Sequence, residues 1–150
     1  MTLQTEHVFS YFVGMEVTPI PLGELPEGFR VTVVNDALKV AGPRVTGTML
    51  PGGGDWMTVR RDGIALLDVR NIIETEDGAR ILYRYGGIGE LGPDGYERLR
   101  SGQPPQGILW GAPVMSTGDS RYAWCNRRQF VVRGEIVPGE VTEMRVYALG

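Results

Sequence analysis

Two carboxylates and an arginine are the residues of this sequence best placed to do acid–base chemistry. Asp55 follows three consecutive glycines, and Asp68 and Arg70 interrupt an otherwise apolar stretch. An unpaired charge in an apolar interior is costly, so these charges need partners or a polar cavity. Burial raises the pKa of a carboxyl group and makes it a better general base, while a guanidinium stabilises an oxyanion. We therefore predict Asp55, Asp68 and Arg70 as catalytic residues, with Asp55 or Asp68 as the base.

The direction in which Asp68 and Arg70 point depends on the turn at Asp77–Gly78. Side chains alternate along a strand, so an even-numbered loop places both charges on the face that carries Tyr83 and Tyr85. Only an odd-numbered loop separates the charges from the tyrosines. Two interpretations remain open. Either the charges line a barrel that binds a small, partly aromatic ligand, or they lie outside, solvated or bridging to a neighbouring subunit.

Aromatic and amide side chains elsewhere are predicted to form the walls of the same pocket. The stretch Tyr122–Arg133 alternates like a strand, and Asn126 on its aromatic face would orient a substrate oxygen. Large aromatic residues at strand spacing are also common in plain hydrophobic cores. The predicted substrate-binding residues are Trp56, Tyr83, Tyr85, Trp110, Tyr122, Trp124 and Asn126.

Composition narrows the class of protein. The 150 residues are 42% hydrophobic and 22% charged, which predicts one globular domain over residues 1–150. The net charge of −3 argues against nucleic-acid binding. One histidine (His7) and one cysteine (Cys125) do not supply a zinc site, and we predict no metal and no cofactor. The lone cysteine and the lack of a signal peptide or membrane-spanning stretch predict a soluble, cytoplasmic protein.

Short strands between glycine and proline turns predict the fold. The 22 glycines and 10 prolines occur at turn-like intervals. About nine strands in hairpin order, with at most one short helix at Tyr96–Arg100, indicate an all-β, antiparallel, up-and-down barrel. The stretch Pro19–Gly28 is predicted to have no regular structure. The predicted strands are Val8–Val17, Arg30–Val34, Leu38–Val40, Arg44–Leu50, Trp56–Arg60, Ile64–Glu74, Ala79–Tyr85, Ile108–Met115, Tyr122–Arg133 and Val141–Leu149.

Three groups of residues resemble the DUF3237 family, also called UPF0311. They include GT and PGGGDW within 47–56, TEDGA at 75–79 after Asp68 and Arg70, and TGDSRYAWCN at 117–126. The likeness covers nearly the whole chain, and its Gly-Asp-Trp and Tyr-Ala-Trp-x-Asn elements are specific. The resemblance implies a calycin-like β-barrel that is often oligomeric, hence a homo-oligomer. The chain departs from the family at Cys125, where leucine is common, and at Trp110-Gly111, where an aromatic–arginine pair is usual.

The resemblance also bears on function, although most of the family has none assigned. Fungal relatives in polyketide pathways resemble cofactor-free cyclases that add a hydroxyl group across an alkene. We predict a cofactor-independent enzyme that acts on a small hydrophobic or phenolic metabolite by isomerase, cyclase or lyase chemistry. A non-catalytic binding or carrier barrel is the first alternative. A structural protein, in which the same charges form a subunit interface, is the second.

Overall fold

The structure, a computed structural model, describes every residue from Met1 to Gly150 and is mostly β. It has one six-residue α-helix, α1 (Gly95–Arg100), and a 3₁₀-helical segment at Ser120–Arg127. The strands are β1 (Thr5–Val13), β2 (Val17–Leu25), β3 (Gly28–Asn35), β4 (Leu38–Ala41), β5 (Gly47–Met49), β6 (Gly54–Val59), β7 (Ile64–Thr75), β8 (Arg80–Glu90), β9 (Gly107–Gly111), β10 (Val114–Ser116), β11 (Phe130–Ile136) and β12 (Thr142–Leu149).

Eight of these strands close into an antiparallel barrel, which confirms the predicted fold class. Around the barrel the order is β8, β9, β11, β12, β1, β4, β5 and β7, and pairing between β7 and β8 closes the ring. Strands β6, β3 and β2 extend from β7 as a wing beside the ring, and β10 pairs with β8. Each barrel strand lies beside the next barrel strand in the chain, as in an up-and-down barrel.

The strands outnumber the prediction because β2 forms in a stretch predicted to be irregular and because the predicted strand Ile108–Met115 is divided into β9 and β10. Strand β7 pairs with β5 around Ile73 and with β6 around Val69, along the same edge. Residues 50–53 separate β5 from β6, and the ring and the wing diverge at that point. One wall of the barrel is therefore divided, which makes room for a cavity between its two parts.

The proline-rich stretch predicted to be irregular instead forms β2. Pro19 and Pro21 lie opposite Val33 and Val31 of β3. Strand β2 has a neighbour on one side only. Proline lacks an N–H group, so it is tolerated at such an edge, where it also discourages pairing with another chain. The prediction for this stretch was wrong because prolines exclude a central strand but not an edge strand.

The strand predicted over Tyr122–Arg133 was wrong in its first part. Strand β11 begins only at Phe130, after the 3₁₀-helical segment. The carboxylate of Asp119 accepts a hydrogen bond from the Arg121 N–H at 2.9 Å and caps this segment. The Asn126 side chain accepts from the Thr117 N–H at 2.8 Å and donates to the Thr117 carbonyl at 2.9 Å. These local side-chain bonds replace a strand ladder, so the aromatic alternation does not define a sheet face.

Helix α1 lies beside the wing. The Tyr96 hydroxyl donates to the Glu24 carboxylate of β2 at 2.7 Å, and the Tyr96 ring packs edge-on against Phe29 of β3. The helix covers Tyr96–Arg100, as predicted, and begins one residue earlier. No helix in the structure combines the length and the apolar character needed to cross a membrane.

The loop between β7 and β8 has an odd number of residues. The Thr75 N–H donates to the Ala79 carbonyl at 2.9 Å and encloses three residues, Glu76 to Gly78. Gly78 has a φ of +90°. A three-residue hairpin loop of this kind joins a type I turn to a left-handed residue, which glycine adopts without steric cost. The parity of this loop decides which side chains of the hairpin enter the barrel.

Three glycines before Asp55 bring the chain unusually close to its neighbours. Gly52 has a φ of +98°, in the left-handed region. A Cβ on Gly53 would overlap the side chain of Asn71, and one on Gly54 would overlap the Val33 carbonyl oxygen. Only glycine allows both approaches, so the glycines place Asp55 on the wall of the barrel.

We expect Gly54→Ala to destabilise the protein by about 1–3 kcal/mol, because the new methyl group must displace the backbone of β3. Gly118→Ala is the matched control, since a Cβ there meets no atom within 4 Å. Urea unfolding of both variants measures the difference. Equal stability of the two variants would contradict the close approach at Gly54.

Candidate functional site

A cavity of about 690 Å³ lies inside the divided barrel. Its walls come from the ring, the wing, and the turns that follow β1 and β11, and they are mainly aliphatic. A drug-sized molecule fits a volume in this range. Few polar side chains interrupt these walls. They are Tyr11, Asn35, Asp55, Asn71, Tyr85, Glu140 and Thr142.

Asp55 is the carboxylate at the cavity wall. One carboxylate oxygen, Oδ1, accepts a hydrogen bond from the Asp68 N–H at 2.9 Å, and no other protein donor contacts the group. Burial raises the pKa of Asp55 to about 6, and the negative charge of Asp68 adds to the shift. The backbone hydrogen bond lowers the pKa but does not cancel the effect of burial. A carboxyl group with this pKa can exchange protons near neutral pH.

The pairing between β6 and β7 is interrupted beside Asp55. Asp55 pairs with Val69, and regular pairing resumes only where Thr58 meets Leu66. In the gap, the Asp68 N–H donates to the Asp55 side chain rather than to a carbonyl of β6. The side chain of Asp55 thus completes the hydrogen bonding of the strand, and this fixes the carboxylate at the wall.

Three tyrosines pack together in the wall of the barrel. The hydroxyls of Tyr11 and Tyr85 are hydrogen-bonded at 3.0 Å. Tyr83 lies edge-on to both rings, with centroids 5.7 Å away in each case. Burial raises the pKa of each of the three hydroxyls well above 10, and the charge of Asp55 contributes further at Tyr11 and Tyr85. These groups therefore stay protonated and can act as hydrogen-bond donors.

Two asparagines at the cavity carry acceptors without partners. Asn35 and Asn71 are 4% and 5% exposed, and both line the cavity. The Asn35 amide donates to two backbone carbonyls, those of Asp36 and Leu50. The Oδ1 atoms of Asn35 and Asn71, however, accept no hydrogen bond from the protein. A buried amide oxygen without a donor is costly, but neither oxygen is accessible to a molecule in the cavity, and Asn71 Oδ1 lies against the backbone of Gly53.

Asp68 and Arg70 lie on the outer face, not in the cavity. They form an ion pair with Nε–Oδ1 at 3.3 Å, and their side chains are 48% and 67% exposed. The register places Asn71 opposite Tyr83 and Val69 opposite Tyr85, so the tyrosines share the inner face with those residues. The interpretation that put Asp68 and Arg70 on one face with Tyr83 and Tyr85 is wrong, because the hairpin loop is odd-numbered.

Two of the three tryptophans predicted in the pocket, Trp56 and Trp110, also face outward. Trp56 alternates with the inward Asp55, and the Arg70 guanidinium lies 5.9 Å from its ring centre. Trp110 is 45% exposed and has the Arg133 guanidinium 5.3 Å from its ring centre. Neither residue lines the cavity. Of the predicted site residues, Asp55 and Tyr85 line it directly, and Tyr83 packs behind Tyr85.

Tyr122, Trp124 and Asn126 belong to the 3₁₀-helical segment and do not reach the cavity. The Tyr122 hydroxyl donates to the Asp77 carboxylate at 2.9 Å. Trp124 packs against Phe130 and carries the Arg44 guanidinium 3.9 Å from a ring centre. Their contacts tie this segment to the rest of the barrel.

Tyr11, Asn35 and Asn71 were not predicted from the sequence. Tyr11 alternates with Phe9 and Val13 in β1, so it has the spacing of a core residue. Asn71 lies on the face of β7 that is otherwise apolar. The signal for Asn71 is this single amide among buried aliphatic residues, a position that requires a hydrogen-bond partner.

Comparison with known proteins places the chain in a family. The sequence matches the family model described as "Protein of unknown function (DUF3237)" over residues 3–149. The chain belongs to the DUF3237 family. A "UPF0311 protein" of Clostridium acetobutylicum is 33% identical over 141 residues, 91% of this chain and 88% of the relative. One from Rhodopseudomonas palustris is 30% identical over 135 residues, 87% of this chain and 86% of the relative. The predicted family is confirmed.

Solved structures share the barrel of this DUF3237 protein. A protein of unknown function from Clostridium acetobutylicum superimposes with a TM-score of 0.86 at 28% identity, covering 100% of this chain and 99% of that one. A β-barrel-like protein from Acinetobacter baumannii gives 0.82 at 23% identity, with 100% and 98% covered. An enzyme from Penicillium herquei gives 0.67 at 18% identity, with 100% and 96% covered. The last two show the fold alone.

Residues that carry the DUF3237 resemblance have structural roles outside the cavity. The Asp77 carboxylate accepts from the Thr75 hydroxyl at 2.6 Å and from the Tyr122 hydroxyl at 2.9 Å. Arg121 bridges the carboxylates of Asp77 and Asp119. These contacts join the hairpin loop to the 3₁₀-helical segment. The motifs therefore report a shared scaffold, and only the Gly-Asp-Trp element contributes a group to the cavity.

We expect Asp55→Asn to stabilise the protein at pH 8 by up to about 3 kcal/mol. The folded-state pKa of Asp55 is raised from 3.8 to about 6, so the folded state binds the proton more tightly than the unfolded chain. The carboxylate therefore lowers stability as pH rises through this window, whereas asparagine stays neutral and still accepts from the Asp68 N–H. Urea unfolding at pH 4, 6 and 8 should show that the free energy of unfolding of Asp55→Asn exceeds that of the wild type by an amount that grows with pH. A pH-independent difference would contradict the raised pKa.

Proposed function

We propose that this protein is a cofactor-independent enzyme that acts by acid–base chemistry on a small hydrophobic or phenolic molecule. The observation that carries the proposal is the Asp55 carboxylate, held at the wall of an apolar cavity with a pKa of about 6. Such a pKa suits a general base at neutral pH, since the group is mostly ionised yet still binds a proton appreciably.

Asp55 is the proposed base. Arg70 lies on the outer face, so the hydroxyls of Tyr11 and Tyr85 take its place as the groups that stabilise an oxyanion. Asp55 Oδ1 is fixed by the Asp68 N–H, which leaves Oδ2 as the atom that takes the proton. The hydroxyls of Tyr11 and Tyr85 share one hydrogen bond, so the pair retains one O–H to donate. That donor stabilises an enolate or phenolate formed when Asp55 removes a proton. Return of the proton to another carbon completes an isomerisation. Transfer of the proton to a departing group, as the C–X bond breaks, completes an elimination. Attack of a deprotonated hydroxyl oxygen on an alkene, with the proton returned to the other alkene carbon, completes a cyclisation.

The comparisons support this proposal only in broad terms. The solved structure from Penicillium herquei is described as an enzyme, and it shares the fold at 18% identity. Its chemistry is not carried over to this chain, because folds of this type host different functions. The choice among isomerase, cyclase and lyase reactions depends on the substrate.

A carrier without catalysis is the second proposal. The aliphatic walls and the few polar groups of the cavity would also hold a ligand without changing it. A carrier needs no group that exchanges protons, so replacing Asp55 would alter its affinity modestly and remove no reaction.

We expect wild-type protein to catalyse deuterium exchange into phenolic ketones and related enolisable compounds in D₂O, as followed by NMR. Asp55→Asn should reduce the exchange rate by about 10²-fold or more, since general-base catalysis contributes 10²–10⁴-fold. The wild-type rate should rise with pH through about 6, because only ionised Asp55 accepts the proton. Glu74→Gln, which neutralises an outward-facing carboxylate, should leave the rate unchanged.

Two results would decide between the proposals. Binding of these compounds without exchange would support the carrier. A loss in Asp68→Asn as large as that in Asp55→Asn would contradict the assignment of the base to Asp55, since Asp68 lies on the outer face and its N–H is retained in the variant.

We also propose that the protein forms a homo-oligomer through the outer face of β7 to β10. Six aliphatic or aromatic side chains of this face are each 42–46% exposed, and contiguous exposed apolar surface is typical of interaction sites. Asp68 and Arg70 lie among them, in line with the interpretation that these charges bridge to a neighbouring subunit. The six residues are Leu66, Ile72, Leu82, Ile88, Trp110 and Val114.

We expect Ile72→Asp to convert the oligomer to a 16.5 kDa monomer, because it buries a charge in the apolar contact. Ile20→Asp is the matched control, since Ile20 is 50% exposed but lies on the wing, away from this face. Analytical ultracentrifugation measures both masses. A monomeric wild-type protein, or an unchanged mass in Ile72→Asp, would contradict the interface.

The lone cysteine supports the proposed cytoplasmic location. Cys125 is buried and free, and burial raises the pKa of its thiol to about 11. A thiol in this state is unreactive and takes no part in the proposed chemistry.

A further inference from the structure

The charged groups that line the cavity all have the same sign. Asp55 lies at the wall and Glu140 in the turn between β11 and β12, and no arginine, lysine or histidine lines the cavity. The arginines of the neighbouring strands, Arg70 and Arg84, belong to the exposed outer face. A bound anion would find no cation to pair with and would also meet negative charge.

We propose that the cavity selects uncharged ligands and that it rejects carboxylates, sulfonates and phosphates. This proposal rests on the proposed function because it concerns the same cavity, and it adds the class of ligand that the cavity binds. It concerns binding alone, so it stands or falls separately from catalysis.

The cavity also penalises charge in general. Its walls are mainly aliphatic, and an ion that leaves water for such surroundings loses its hydration without replacement. The raised pKa of Asp55 has the same cause, namely that burial disfavours the charged form. An uncharged ligand avoids this penalty, and its aromatic or aliphatic body gains from contact with the walls.

A matched pair of fluorescent probes tests the proposal. N-phenyl-1-naphthylamine is uncharged, and 8-anilinonaphthalene-1-sulfonate has the same skeleton, including the N–H group, with one added sulfonate. At pH 8 we expect the uncharged probe to bind at least tenfold more tightly. Asp55→Asn should reduce this ratio by improving sulfonate binding, and lowering the pH to 5 should do the same in the wild type. Glu74→Gln, a carboxylate change on the outer face, should leave the ratio unchanged.

A variant whose larger side chain fills the cavity tests whether the probes bind there. Met57 lines the cavity, and Met57→Trp should reduce the affinity for N-phenyl-1-naphthylamine at least tenfold. Equal or tighter sulfonate binding in the wild type would overturn the proposal. An unchanged ratio in Asp55→Asn, or uncharged-probe binding that survives Met57→Trp, would also overturn it. Proton exchange by Asp55 is measured separately, so loss of the selectivity would leave the catalytic proposal intact.

Discussion

The register of the hairpin formed by β7 and β8 is the constraint on which the site depends. Three residues between Thr75 and Ala79 form the loop, and Gly78 adopts the left-handed conformation that closes it. One residue more or fewer would exchange the two faces of one strand relative to the other. With this loop, Tyr85 and Asn71 reach the interior while Asp68 and Arg70 remain at the surface. The parity of one turn therefore decides which side chains of this hairpin reach the cavity, where they meet Asp55 of β6 and Tyr11 of β1.

Much of the fold could be predicted because it follows from local patterns. Alternating burial in β7 and the Asp77–Gly78 turn were readable from the sequence, and they indicated an antiparallel barrel. Which side chains point into the barrel could not be predicted from the sequence. That direction depends on the number of residues in the loop, and hence on the conformation of Gly78, which residue types alone do not determine. Asn71 and Tyr11 were missed for a related reason. Each occupies a position with the spacing of a core residue, and its polar atom matters only once neighbouring strands enclose a cavity.

The scaffold and the site occupy different parts of the barrel. The contacts of Asp77, Tyr122 and Arg121 connect the hairpin loop to the 3₁₀-helical segment, and none of these residues lines the cavity. Most of the motif residues that carry the family resemblance thus hold the barrel together. The aliphatic residues of the cavity wall lie outside those contacts, so substitutions among them leave the scaffold contacts in place.

Asp55 has no structural role that requires a charge. Its carboxylate accepts the Asp68 N–H in a gap of the β6–β7 ladder, and the oxygen of an asparagine side chain would accept the same bond. Burial makes the ionised form unfavourable, as the raised pKa of about 6 records. A sequence optimised for stability alone would place a neutral residue there. Functional sites typically contain strained or unfavourably charged groups, because these groups lower stability but are needed for activity. This reasoning favours proton transfer over passive binding as the role of Asp55, since a carrier for uncharged ligands would be served equally well by asparagine.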